Sequence, residues 1–255
     1  MNDSDQNLCV ISRTLFLTLP WIGSVVGFSQ TESFVELTTF LSTKSLHTTH
    51  IDRQLDILSH DLNASSSDSG LSCHLVGPDF FQKIRSLYQH QTTHPYNSEV
   101  GPRYIWRIGS NLSTGRYMKL GGVAHVNGNH WVPIIVDTAT SVLLYGDSLR
   151  HRGSPQDSEL LDALNWWLVQ HVSRIFSQQD LAITNQDDSY NCGILSVNGL
   201  QHYLMPEKYS LLPSERSIHD FERIKVFNHV VAQMLDTVSY PPSFRITTHE
   251  LIYCP

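Results

Sequence analysis

The chain has 255 residues, with 17 Lys and Arg against 24 Asp and Glu, a formal charge of −7, and 40% hydrophobic residues. That composition excludes wholesale disorder, and the length fits one large domain with ample core. The acidic balance, with no run of five basic residues, argues against nucleic acid as a primary partner.

The N-terminal segment is most apolar from Leu15 to Phe28, too short for a membrane span and broken by Pro20 and Gly23. With Asp3 and Asp5 ahead of it, it makes a poor signal peptide and reads as a buried strand or short helix. Neither a spanning helix nor a membrane partner is expected. Cys9, Cys73, Cys192 and Cys254 form no CxxC pair, which excludes a zinc ribbon and a dense disulfide framework and points to a reducing compartment.

Ile51, Leu55, Leu58 and Leu62 recur at helical spacing, so 49–62 reads as an amphipathic helix, followed by a Ser/Asp surface loop from Ala64 to Gly70. Pro78 suits a first helical position, Asp79 the positive end of the dipole, and Phe80, Phe81, Ile84, Leu87 and Tyr88 supply an apolar stripe ending near Gln89. Strands begin near His125. His130 to Asp137 and Ser141 to Tyr145 read as a hairpin covered on both faces, in which Pro133 suggests an edge or bulge. Helices are expected over 156–173, 192–204 and 221–238, with a short strand over 181–184. The pattern is mixed α and β.

Four residues carry the chemistry: His130 in Asn-His-Trp-Val, Asp147 in Gly-Asp-Ser, Gln186, and Cys192 in Asn-Cys-Gly. A tight hairpin brings the start of its first strand beside the end of its second, which places His130 against Asp147. A carboxylate there fixes the imidazole tautomer and supports its cation, as a base serving a nucleophile requires. Asp137 is the rival acid but falls at the hairpin's far end. Cys192 opens an apolar helical run, so its sulfur should face free backbone N–H groups and the positive end of a dipole, both of which favour thiolate. Gly193 keeps the next backbone position clear where a substrate carbonyl would approach. Gln186, six positions upstream, could donate to an oxyanion together with the Cys192 N–H. Trp131 is a candidate substrate contact beside His130, although packing explains it more simply. His125 with His130, and His90 with His94, lack the carboxylates and spacing of a metal site, so no metal is expected.

The order His-Trp, Asp-Ser, Gln, Cys-Gly, with 17 positions from His130 to Asp147 and six from Gln186 to Cys192, resembles the ubiquitin-like-protein-specific (SUMO/sentrin) cysteine protease family from about Leu41 to Leu235. Leu46, Ile51 and Leu55 match the family's first-helix pattern. The resemblance implies an α+β, papain-like fold, a central mixed or antiparallel sheet flanked by helices with the nucleophile at a helix N-terminus. It implies His130, Asp147, Gln186 and Cys192 as catalytic residues, no cofactor, and a ubiquitin-like protein or its conjugates as partner. Nuclear or cytoplasmic residence follows by analogy. The domain would span 41–240, between an N-terminal extension (1–40) and a tail (241–255). Three positions depart: Ser45 replaces a tryptophan over the substrate channel, Asn191 replaces the usual Asp before the cysteine, and Pro133 interrupts a strand. The expected activity is hydrolysis of a peptide or isopeptide bond after a modifier's C-terminal glycine. A catalytically impaired binding module and an acyltransferase using the same Cys-His-Asp set are the alternatives.

Overall fold

The structure, a computed structural model, describes residues 3–19, 21–29, 31–65, 73–93, 96–97, 102–152 and 157–237. The chain opens with helix α1 (Asp3–Thr18), a two-strand ribbon of β1 (Ser24–Val25) and β2 (Glu32–Ser33), and a 3-10 segment, Phe34–Leu41. It continues through α2 (Thr48–Ser65), β3 (Cys73–Val76), α3 (Pro78–Gln89), α4 (Arg103–Ser113), β4 (Lys119–Val126), β5 (His130–Asp137) and β6 (Val142–Tyr145). Then come α5 (Ser158–Val172), β7 (Ser177–Asp180), α6 (Cys192–Leu204) and α7 (Arg216–Thr237).

Five strands form one mixed sheet in the order β3-β4-β5-β6-β7, parallel at its two outer pairs and antiparallel within. Every residue of β5 is buried. Trp131 and Ile135 face one core, built with α2, α6, α7 and the N-terminal segment. Val132, Ile134 and Val136 face a second, built with α3, α4 and α5. Alternation of side chains across a strand with both faces covered produces the unbroken apolar run. The hairpin, α3 and α6 lie where periodicity placed them. Leu15, Leu19, Val25, Phe34 and Phe40 share the first core with Phe227 and Val231 of α7. The apolar stretch from Leu15 is therefore the end of a helix followed by a short strand.

Two expectations are corrected. Pro133 lies in the central strand, paired with Val123 of β4, and not at an edge. Its carbonyl accepts from Gly146 N at 3.1 Å. In an antiparallel ladder a residue's N–H and C=O face the same neighbour, so the missing donor falls where β6 has already ended at Tyr145. The strand expected over 181–184 lies instead at Ser177–Asp180, wholly exposed and polar, because parallel pairing to β6 at the sheet edge demands no apolar face. Leu181 is the buried residue that follows it.

Three elements of the sheet layer escaped the periodicity: β3, β4 and α4. In β4 a Cβ at Gly122 would lie 2.5 Å from the Val76 carbonyl oxygen and 2.8 Å from Phe81, and one at Gly121 would lie 3.0 Å from Leu200. Close approach of β3, α3 and α6 requires glycine there, and it erases the β-branched signature of a central strand. The loop expected over 64–70 falls mostly outside the described residues, as do the 241–255 tail and His94. No helix among the described residues is long and apolar enough to cross a membrane.

Candidate active site

His130 opens β5 and Asp147 lies two positions past the end of β6, so the hairpin carries both to the same end of the sheet. Asp147 Oδ1 accepts from His130 Nε2 at 2.8 Å and from Leu149 N at 2.8 Å, the second bond fixing the carboxylate within its own turn. Asp137 sits at the far end, paired with Lys119. The Cys192 sulfur lies near enough to the His130 ring to support its cationic form. The structure thus brings His130, Asp147 and Cys192 into one chain of contacts across 63 residues of sequence.

All four candidate side chains are nearly out of solvent: Cys192 is 2% exposed, His130 4%, Asp147 5% and Gln186 1%. Burial pushes the His130 imidazole toward its neutral form, yet the bonds and charges of Asp147 and Cys192 outweigh it and hold its pKa up at about 9. His130 is therefore an imidazolium at neutral pH, the partner a thiolate needs. Cys192 is the first residue of α6. The N-cap Asn191 makes no side-chain capping bond, which leaves the first-turn N–H groups directed at whatever anion lies before them.

Gln186 is held at both ends. Its Oε1 accepts from Ser148 Oγ at 3.0 Å, and its Nε2 donates to the Asp188 carbonyl at 3.2 Å and carboxylate at 3.0 Å. The backbone of Gln186 donates to the Ser148 carbonyl at 2.8 Å, tying its loop to the turn that carries Asp147.

Trp131 and Gly193 do not sit as their candidate roles require. Trp131 is 2% exposed in the core, its ring 4.4 Å from that of His125 and tilted 48° to it, and its indole N–H donates to the Leu46 carbonyl at 2.9 Å. A Cβ at Gly193 would meet Ile51 at 3.1 Å and Leu46 at 3.2 Å, so this glycine admits α2 against α6 and does not clear a path for substrate. Ser45 is exposed beside buried Leu46. Among the described residues no group of three or more His, Cys, Asp or Glu could hold a metal ion, and the His90 ring bonds the Ser86 carbonyl at 2.8 Å. Cys73 is free, and burial pushes its thiol up to about 12, which keeps it protonated.

Sequence reasoning missed the supports. Arg223 of α7 is 1% exposed and donates to the carbonyls of Phe40 (3.1 Å), Thr39 (2.5 Å), Lys44 (2.8 Å) and Tyr190 (3.3 Å) and to Asn191 Oδ1 (3.3 Å). It clamps the 39–44 segment to the loop ahead of Cys192. Asn191 donates through Nδ2 to Asp188 Oδ2 at 2.8 Å and Asp220 Oδ1 at 3.1 Å. An aspartate at 191 would place three carboxylates together, so amide suits this site where the resembled family has acid.

No protein-family model matches the chain, and no curated protein matches it in sequence. Among solved structures it is similar to the SUMO protease Ulp1 with its catalytic cysteine oxidized to a sulfenic acid, at 14% identity and TM-score 0.63, covering 91% of this chain and 95% of that one. It is similar to the Ulp1 protease domain in complex with Smt3, the yeast ortholog of SUMO, at 15% identity and TM-score 0.63, covering 91% and 96%. The Ulp1-like SUMO protease catalytic domain of Chaetomium thermophilum matches at 11% identity and TM-score 0.59, covering 97% and 94%. The chain has the fold of the Ulp1-like SUMO cysteine proteases, an α+β, papain-like arrangement of a mixed sheet flanked by helices.

Proposed function

We propose that the protein is a cysteine peptidase that hydrolyses the peptide or isopeptide bond after the C-terminal glycine of a ubiquitin-like modifier. The observation that carries this reading is the convergence on His130 of the Asp147 carboxylate, bonded to Nε2 at 2.8 Å, and of the Cys192 sulfur, which supports the ring's cation. The 2% exposure of Cys192 supports the substrate class, because a thiol so enclosed admits a narrow, extended backbone more readily than a bulky side chain. The Ulp1 fold and its complex with Smt3 support a SUMO-like partner.

In this mechanism the Cys192 thiolate attacks the glycyl carbonyl while His130 holds the proton taken from it. The tetrahedral oxyanion accepts hydrogen bonds from the Gln186 amide and the Cys192 N–H. His130 then protonates the departing amine, leaving a thioester. Water, deprotonated by the now neutral His130, attacks that thioester, and Cys192 leaves as thiolate. Asp147 keeps the ring oriented and offsets its positive charge throughout.

The test is a panel of ubiquitin-like proteins, SUMO and ubiquitin among them, bearing C-terminal propargylamide and read by intact mass and peptide mapping. An adduct on Cys192 with at least one modifier is the expected outcome. Tight complex formation with no adduct would point to a binding module. Acetyl transfer from an acyl-thioester donor to a protein, with no modifier reacting, would point to an acyltransferase.

A further inference from the structure

Asp188 sits between the oxyanion candidate and the nucleophile, four residues before Cys192. Its Oδ1 accepts from Tyr190 N at 2.8 Å, Asn191 N at 2.8 Å and Gln186 Nε2 at 3.0 Å, and its Oδ2 from Asn191 Nδ2 at 2.8 Å. Burial alone would raise its pKa, but these donors hold the carboxyl below the usual carboxylate range. Neighbouring Asp187 is exposed, with the His151 ring 3.8 Å from its carboxylate. Of two adjacent aspartates, one is therefore built into the loop and the other borders solvent.

We propose that Asp188 is a positioning residue for oxyanion stabilisation: through its carboxylate at 3.0 Å and its carbonyl at 3.2 Å it fixes the Gln186 amide beside the nucleophile, while its bonds to Tyr190 and Asn191 set the turn that presents the Cys192 N–H. The inference rests on reading Cys192 as the nucleophile. An amide nitrogen carries two hydrogens in one plane, so acceptors of one residue on that nitrogen fix the orientation of the whole amide. The carboxylate must accept at every position. Asn191, a pure donor toward Asp188 and Asp220, completes the pairing. Acid at 188 and amide at 191 thus form a donor–acceptor pair that an exchange of the two residues keeps, while the donation to Asp220 is lost.

The full chain is compared as wild type, Asp188→Asn, Asn191→Asp and the double exchange, with two small reagents that need no modifier. In acylation by p-nitrophenyl acetate the Cys192 sulfur forms a bond to the acetyl carbon through an oxyanion and p-nitrophenolate leaves. In alkylation by iodoacetamide the sulfur displaces iodide with no oxyanion. Asp188→Asn sets two amide donors face to face, and the ratio of acylation to alkylation rate should fall about tenfold, in keeping with the sensitivity of such groups to small misplacement. Asn191→Asp, which crowds three carboxylates, should lower it at least as far. The double exchange, which again sets one donor against one acceptor between 188 and 191 but loses the bond to Asp220, should recover at least about threefold of the loss.

An unchanged ratio in Asp188→Asn, or a double exchange no better than the single variants, would overturn the proposal. If Asp188→Asn fails to fold by circular dichroism, the ratio of the double exchange decides it. A wild-type protein that is alkylated but never acylated at Cys192 overturns it as well. Acylation of Cys192 with no reaction toward any modifier probe would instead defeat the substrate reading and leave the role of Asp188 standing.

Discussion

Cys192→Ala is expected to reduce hydrolysis of SUMO carrying a fluorogenic C-terminal amide by a factor of at least about 10⁴, because the proposed mechanism forms its thioester on this sulfur. The substitution deletes one sulfur from a residue packed in the core with Leu46 and Ile51 and leaves its Cβ in place. Its stability cost should stay near that of a small cavity, about 1 kcal/mol, so the variant should still bind the modifier. Calorimetric melting, binding by interferometry and turnover measured on the same preparation separate the three effects. Turnover equal to wild type would remove Cys192 as nucleophile.

His130→Ala should lower the same turnover by about 10³ to 10⁴, since both proton steps pass through one ring. The change also carries a pH signature in stability. The folded-state pKa of His130 lies above its unfolded value, so protonated His130 stabilises the fold fully below about pH 6.5 and ceases to as pH rises through about 9. The stability gap between wild type and His130→Ala should therefore be widest near pH 6 and narrow above pH 9, as read from denaturant midpoints. A gap that widens toward alkaline pH would mean that the ring is neutral in the folded protein.

What the sequence made legible followed local physics. The stripe of Ile51, Leu55 and Leu58, the Pro78 start of α3, the covered hairpin and the start of α6 at Cys192 are each set by neighbours a few residues apart, and each stands in the fold. The meeting of His130 with Asp147 follows from the hairpin, which carries both to one end of the sheet and is a local property as well. What stayed hidden depends on distant partners. Gly121 and Gly122 disguise β4 because they make room for Leu200, Val76 and Phe81. Ser177–Asp180 is a strand only because β6 offers a parallel edge. Arg223 could not be recognised as a clamp, since its acceptors lie up to 184 residues away. Gly193 was assigned to substrate for a sound reason, a bare backbone near the nucleophile, but Leu46 and Ile51 occupy that space. Trp131 beside His130 turned its indole to the Leu46 carbonyl for the same reason that it is buried, which is that strand alternation points it at α6.

The triad of contacts can be read from a single nucleus set. In a full chain labelled with ¹⁵N histidine and assigned with His130→Gln, the ring nitrogens of His130 should titrate with a midpoint at about pH 9, and the midpoint should drop toward or below the ordinary imidazole value of about 6.5 in both Cys192→Ala and Asp147→Asn. A wild-type midpoint already at or below 6.5, unmoved by either substitution, would mean that sulfur, ring and carboxylate do not act as one unit.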